Sequence, residues 1–273
     1  MRIVFLGDIV GKAGRKVVLE QMPLIRRKWQ LDCIIVNAEN AAAGFGITET
    51  IANDLFSAGA DAITLGNHSF DQRDTLVYIE RHKNLVRPVN YPVGTPGRGA
   101  ALIDSASGHR ILVINAMGRV YMDALDDPFA AIDRELEQYP LQQVTDAIIV
   151  DFHAEATSEK EAIGFHLDGR VSLVTGTHTH VPTADYRILP EGTAYISDAG
   201  MCGDYDSVLG MKKEEPVRRF LQKIPGSRFE PAVNEATLCG IAIETDERTG
   251  LATKVAAIRI GPHLEQSRPT FWE

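Results

Sequence analysis

Apolar positions along this chain gather in short runs at 2–6, 33–36, 62–65, 110–114, 147–150 and 172–174. Each run is rich in Ile, Val and Leu and too short for a helix, so each predicts a strand. Longer amphipathic segments lie between many of them. Residues 14–28 predict one helix, and a second starts near Thr48. A third opens at Asp127, placed to N-cap, with Pro128 in the first turn. After about Thr193 the pattern changes: 194–196, 237–243 and 254–260 read as strands, with 244–250 as the polar turn of a hairpin. The expectation is α/β units followed by a more antiparallel, β-rich part. There is no fixed-period repeat, and the Pro- and Gly-rich stretch 91–99 reads as a loop, not a linker, so residues 1–273 are expected to form a single domain.

Composition narrows the classes. With 273 residues, 44% of them hydrophobic, the chain can bury a large core. The net charge of −9 argues against a broad basic surface for duplex nucleic acid. It leaves room for a small anion at a metal-bearing cleft. No apolar run reaches the length of a membrane span, and no signal-peptide pattern precedes residue 2. Cys33, Cys202 and Cys239 form no CxxC pair, which argues against a zinc ribbon or a disulfide framework. A cytoplasmic protein without membrane association is expected.

The chemistry lies just beyond the end of five of these six apolar runs. The first is followed by Asp8, the second by Glu39 and Asn40, and the third by Asn67 and His68. The fifth leads to His153 and the sixth to His178 and His180. In α/β sheets the C-terminal strand ends face the ligand crevice, so these residues can converge although they are distant in sequence. His178 and His180, two apart in extended or turn backbone, can point to one side and serve one site. Taken singly, most have a plainer reading: Asp8 as a turn or cap residue, Asn67 as a turn closer, His153 as a hydrogen-bonded core histidine. The repetition at one topological location favours a site. The early FLGDIVGKAGR segment is no P-loop, because its glycine spacing is one residue short and Ala13 replaces the hydroxyl residue.

The donor set holds imidazoles, carboxylates and amides without thiolate, which suits Mn, Fe, Zn or Co. It is too large for one tetrahedral zinc and fits two metals sharing a carboxylate. Two divalent cations against Asp8, Glu39 and a hydroxide leave one positive charge, which a phosphodiester monoanion would balance. His82, His109, His166 and His263 follow no comparable run and read as surface or structural. Asp71, Asp151 and Glu155 adjoin the candidate ligands and read either as partners of the imidazoles or as capping and ion-pair residues.

The segments GDIVGKAGR, VNAENAAAGFGIT, TLGNHSFD, DFHAEATSEK, GRVSLVTGTHTHVPTADYRILPEGTAYISDAGMCG and YDSVLGM resemble the calcineurin-like dinuclear metallophosphoesterases. More narrowly, they resemble the YmdB-type bacterial phosphodiesterases, over residues 1–211 and more loosely beyond. The resemblance implies a four-layer α/β/β/α sandwich of the calcineurin-like type. It implies one metal on Asp8, Glu39, Asn40 and His180, and a second on Glu39, Asn67, His153 and His178. The metals would be divalent or mixed-valence, iron and/or manganese. His68 would be the proton donor, and a metal-bridging hydroxide would hydrolyse small phosphodiesters such as 2′,3′-cyclic nucleotides. The wider superfamily carries a histidine in its GDxHG first motif. Here Val10 stands at that position, and Asn40 would fill the vacancy. Ser69 and Phe70 replace the acidic residue that often follows the GNH histidine, leaving Asp71 as a partner for His68. Other readings of the same site are a phosphomonoesterase, an RNA-directed nuclease, and a nucleotide-sensing regulatory protein with little turnover. A homo-oligomer is expected.

Overall fold

A computed structural model describes residues 1–224 and 226–273. Two six-stranded sheets form its centre. The first runs in the order Ala252–Ile260, Leu238–Thr245, Arg2–Leu6, Cys33–Asn37, Ala62–Thr64, Leu85–Val86. The last four of these strands are parallel, while Leu238–Thr245 pairs antiparallel with both its neighbours. The second sheet runs Arg187–Ile188, Ala194–Ile196, Leu173–Thr177, Ala147–His153, Arg110–Met117, Ala100–Asp104. Its four central strands are parallel, and each edge strand is antiparallel to its neighbour.

Alternation along each strand explains the layering. Ile3, Phe5, Cys33, Ile35, Ile241 and Ile243 face Ile111, Val113, Ile149 and Leu173 in one buried cluster between the sheets. The opposite positions Val4, Leu6, Ile34, Val36 and Ile63 pack under the helices Gly11–Trp29 and Glu49–Ser57 through Val18, Met22, Ile25 and Leu55. On the other side, Leu112, Ile114, Ile148 and Val150 pack against Ile132, Leu136 and Ile163 of the helices Pro128–Gln138 and Thr157–His166. The result is the expected α/β/β/α sandwich. Strands covered on both faces have no polar side to display, which is why the sequence shows unbroken apolar runs.

Local signals mostly hold. Thr48 caps its helix by accepting from the Ile51 N–H, and Asp127 accepts from the N–H groups of Phe129 and Ala130. The first helix starts at Gly11 instead of residue 14, because the Gly11 N–H finds the Asn40 carbonyl and the Gly14 N–H the Val10 carbonyl. The expected hairpin is present, but it does not form a separate β-rich part. It extends the first sheet. A two-strand ribbon, Asp8–Ile9 parallel to Met201–Cys202, ties the end of the first strand to the later chain.

Candidate metal centre

All eight candidate residues sit where parallel strands of the two sheets end. Asp8 lies just after Arg2–Leu6, Glu39 and Asn40 after Cys33–Asn37, and Asn67 and His68 after Ala62–Thr64. His153 ends its strand, and His178 and His180 follow Leu173–Thr177. Asp8, Glu39, Asn40, His153 and His180 are buried. Two groups of donor atoms gather there, Glu39 with His153 and His178, and Asp8 with Glu39 and His180. Within each, the donor atoms lie inside 4.8 Å of one another, and Glu39 belongs to both. Each amide joins one group: Asn67 Oδ1 is 2.9 Å from His153 Nε2, and Asn40 Oδ1 is 3.1 Å from His180 Nε2.

The histidine pair departs from the extended reading. His178 has φ of 99° and His180 φ of 65°, so the same-side rule for strands does not apply. Left-handed backbone at a residue with a β-carbon costs of order 1–3 kcal/mol and persists where surrounding contacts over-determine it. Here the His178 N–H donates to Asp8 Oδ2, and Asp198 Oδ2 accepts from both the N–H and the hydroxyl of Thr179. The turn sends the two imidazoles to different groups.

Hydrogen bonds fix which nitrogen of each ring looks inward. Thr177 Oγ1 donates to Asp151 Oδ1 at 2.7 Å, so it can only accept from His153 Nδ1, 2.8 Å away. Asp151 is itself held by Asn37 and Thr64. His180 Nδ1 donates to the Leu209 carbonyl, and His178 Nε2 lies 3.2 Å from Glu155 Oε2. With its outer nitrogen protonated in this way, each ring aims a lone pair into the site. His153 Nε2 then faces His178 Nδ1 at 3.1 Å, Asn67 Oδ1 at 2.9 Å and Glu39 Oε1 at 3.3 Å. Asp8 Oδ1 is buried with no hydrogen-bond partner among the described residues.

Acceptors crowded on acceptors require a positive charge among them. Burial raises the Asp8 carboxyl well above its ordinary value; His153 opposes this, while Asp198, Glu39 and Asp151 add to it. Burial also pushes Glu39 up, but the positive charge of His153 and donors from His153 and His68 outweigh it and bring it to about 2. His153 shows the reverse balance. Burial lowers it, and Glu39, Asp8 and Asp151 together raise it to about 9. Burial and then the charge on His153 press His178 down to about 3. In the protein alone, a proton on His153 takes the place of a cation. The lone orphaned oxygen, the fixed tautomers and the nitrogen–oxygen donor set all fit bound divalent metal ions.

Gly66 shows how tightly the site is built. A β-carbon there would lie 2.4 Å from Glu39 Oε2 and 2.5 Å from His153 Nε2. Gly7, before Asp8, has the Gly200 carbonyl oxygen 1.8 Å from where its β-carbon would be.

His68 stands at the edge of the cluster. Its N–H donates to Glu39 Oε2, its Nδ1 lies 2.8 Å from Asp71 Oδ2, and Phe45 meets its ring edge-on at 5.1 Å. Asp71, Asp151 and Glu155 are thus partners of the imidazoles, directly or through Thr177. Sequence reasoning missed Thr177, the Leu209 carbonyl and a buried ion pair beneath the loop, Lys160 Nζ to Asp198 Oδ2 at 2.9 Å. Thr177 had a visible signal, a hydroxyl between two predicted ligand segments. Lys160 had none. His82, His109 and His166 pair instead with Glu49, Asp146 and Asp133, away from the cluster.

Two mixed sheets packed face to face, with a carboxylate-bridged double donor cluster at the ends of their parallel strands, define a metallophosphoesterase-type protein. The chain matches the sequence model of the family described as YmdB-like protein over residues 4–258, and it belongs to that family. It is 48% identical over 260 residues to the 2′,3′-cyclic-nucleotide 2′-phosphodiesterase of Bacillus subtilis (strain 168), spanning 95% of this chain and 97% of that protein. A solved structure of a hypothetical protein from Thermus thermophilus superposes with TM-score 0.88 at 39% identity, covering 96% of this chain and 99% of the other. A novel phosphatase from Mycoplasma pneumoniae superposes with TM-score 0.88 at 35% identity, covering 100% and 95%.

Proposed function

We propose that this protein is a dinuclear-metal phosphodiesterase that hydrolyses small phosphodiesters such as 2′,3′-cyclic nucleotides. The observation that carries the reading is the doubled donor cluster bridged by Glu39, with the Asp8 oxygen left unpartnered beside it. Asp8, Glu39, Asn40 and His180 would hold one ion, and Glu39, Asn67, His153 and His178 the other; we take them to be iron or manganese. Bound there, two such ions supply Lewis-acid stabilisation of a phosphoryl group and lower the pKa of water.

The chain's own residues account for the remaining work. Asp151 and Thr177 hold His153 in one tautomer, and the Asp198 contacts hold the loop that carries His178 and His180. His68 lines the cavity beside the cluster. Asp71 Oδ2 lies 2.8 Å from His68 Nδ1, so Nε2 is the nitrogen left to donate. His68 is our proton donor to the departing alkoxide. Its removal should cost about 10²–10⁴ in rate on a cyclic nucleotide and much less on a p-nitrophenyl ester, whose leaving group needs little protonation. Equal activity of His68→Ala and parent on 2′,3′-cyclic AMP would remove His68 from the role.

The same reading takes residues 1–273 as one working unit in the cytoplasm; no described helix is long and apolar enough to cross a membrane. The reading includes a homo-oligomer, which light scattering tests. RNA is a further candidate substrate, to be ranked against cyclic nucleotides by kcat/KM. The central test is elemental analysis of purified protein, with activity measured after chelation and after return of Mn²⁺ or Fe²⁺. Metal-free protein that hydrolyses cyclic nucleotides at the parent rate would overturn the proposal.

A further inference from the structure

The donor cluster forms one end of a cavity of about 300 Å³. Glu39, Asn40, His68, His178 and His180 line that end. The rest of the lining is apolar. Phe45, Phe220 and Phe229 contribute aromatic rings, and Val208, Leu209, Met211 and Pro216 fill the gaps. No lysine or arginine lines the cavity among the described residues. Any anionic group must therefore lie at the cluster, and the apolar lining suits an uncharged, flat, weakly polar group.

Phe220, on the helix Glu214–Gln222, is 84% exposed, an uncommon setting for a phenylalanine with no partner to cover it. Phe229 lies 4.0 Å below the Arg219 guanidinium, which is tied in turn to Glu215 and to the Ser227 carbonyl. Phe45 is braced against the His68 ring.

We infer that Phe220 and Phe229 form a stacking platform for the nucleobase of the substrate, with Phe45 closing the side toward His68. This rests on the nucleotide reading above and adds what selects the nucleotide. Stacking on aromatic side chains tolerates any base because every base has a π-face, and its strength grows with ring area. The apolar wall carries no side-chain donor or acceptor to read a base edge. Purine cyclic phosphates should therefore be preferred over pyrimidine ones, and adenine and guanine should be treated alike.

The test compares 2′,3′-cyclic AMP with glycerol 1,2-cyclic phosphate, which has the same strained ring and no base. Phe220→Ala and Phe229→Ala should each lower the kcat/KM ratio of nucleotide to base-free substrate by about five- to a hundredfold, chiefly through KM. Phe220→Trp should preserve or raise the ratio. Independently of turnover, saturation-transfer NMR of adenosine on the parent should show contact at its base protons, and the double alanine variant should lose it. A ratio within about twofold of the parent in both alanine variants, with base contact retained, overturns the platform while leaving the hydrolase standing. A parent enzyme that cleaves the glycerol diester but no cyclic nucleotide overturns the platform and the nucleotide reading, while a parent that cleaves neither overturns the hydrolase itself.

Discussion

Replacing Gly66 by alanine adds one methyl group at the most crowded point of the donor cluster. The backbone there is not left-handed, so alanine meets no dihedral obstacle, and any effect is steric. The new β-carbon would lie 2.4 Å from Glu39 Oε2 and 2.5 Å from both Cδ2 and Nε2 of His153. Ordinary contact between such atoms needs about 3.5 Å, so each must retreat by about 1 Å. Metal–ligand distances tolerate about 0.2 Å, and displacing a catalytic group by about 1 Å can cost 10²-fold in rate. Glu39 is the bridge between the two groups, so both ions should be affected. Gly66→Ala is expected to bind less than the parent's metal and to lose about 10²-fold or more in kcat/KM on 2′,3′-cyclic AMP. In the metal-free protein the side chains are free to swing aside, and overpacking there should cost about 1–3 kcal/mol. Metal content by elemental analysis, steady-state kinetics and urea unfolding of the chelated protein separate these effects. Full metal content with kcat/KM within about threefold of the parent would refute the steric argument.

Thr177→Val keeps the shape of the side chain and removes the hydroxyl that links Asp151 to His153 Nδ1. Metal affinity, titrated with Mn²⁺, should fall about 10–100-fold, and an unchanged affinity would show that the tautomer is fixed by other means. Lys160→Met leaves the Asp198 carboxylate buried without its cation, and the urea midpoint should report a loss of about 3–5 kcal/mol. Adding Asp198→Asn should recover part of that loss; no recovery would mean the Lys160 stem matters through packing alone.

The clustering of the candidate residues was legible because the chemistry-bearing residue types come directly after apolar runs, and the parallel strands put those ends together. The runs themselves read short where buried polar groups interrupt them. Arg110–Met117 and Ala147–His153 continue past their apolar stretches because Asn115 donates to the Asp151 carbonyl inside the sheet and Asp151 is satisfied by Asn37, Thr64 and Thr177. Hydrophobic periodicity has no way to register a polar residue that hydrogen-bonds within the core. The left-handed turns at His178 and His180 were hidden for a related reason: contacts with Asp8 and Asp198 impose them, and nothing in the local sequence does. The 238–260 hairpin announced itself locally, but its docking on Arg2–Leu6 depends on a partner at the other end of the chain.

That last pairing sets the order in which a growing chain can finish itself. Arg2–Leu6 leaves the ribosome long before its register partners Gly240–Glu244. At about 5–20 residues per second, one side of the founding strand has no partner for roughly 10–50 s. Throughout that interval an apolar strand edge is open to other nascent chains, and until Met201–Cys202 emerges Asp8, two positions beyond it, has no ribbon to hold it. Metal binding at Asp8 is therefore expected only once Met201–Cys202 has emerged to pair beside it.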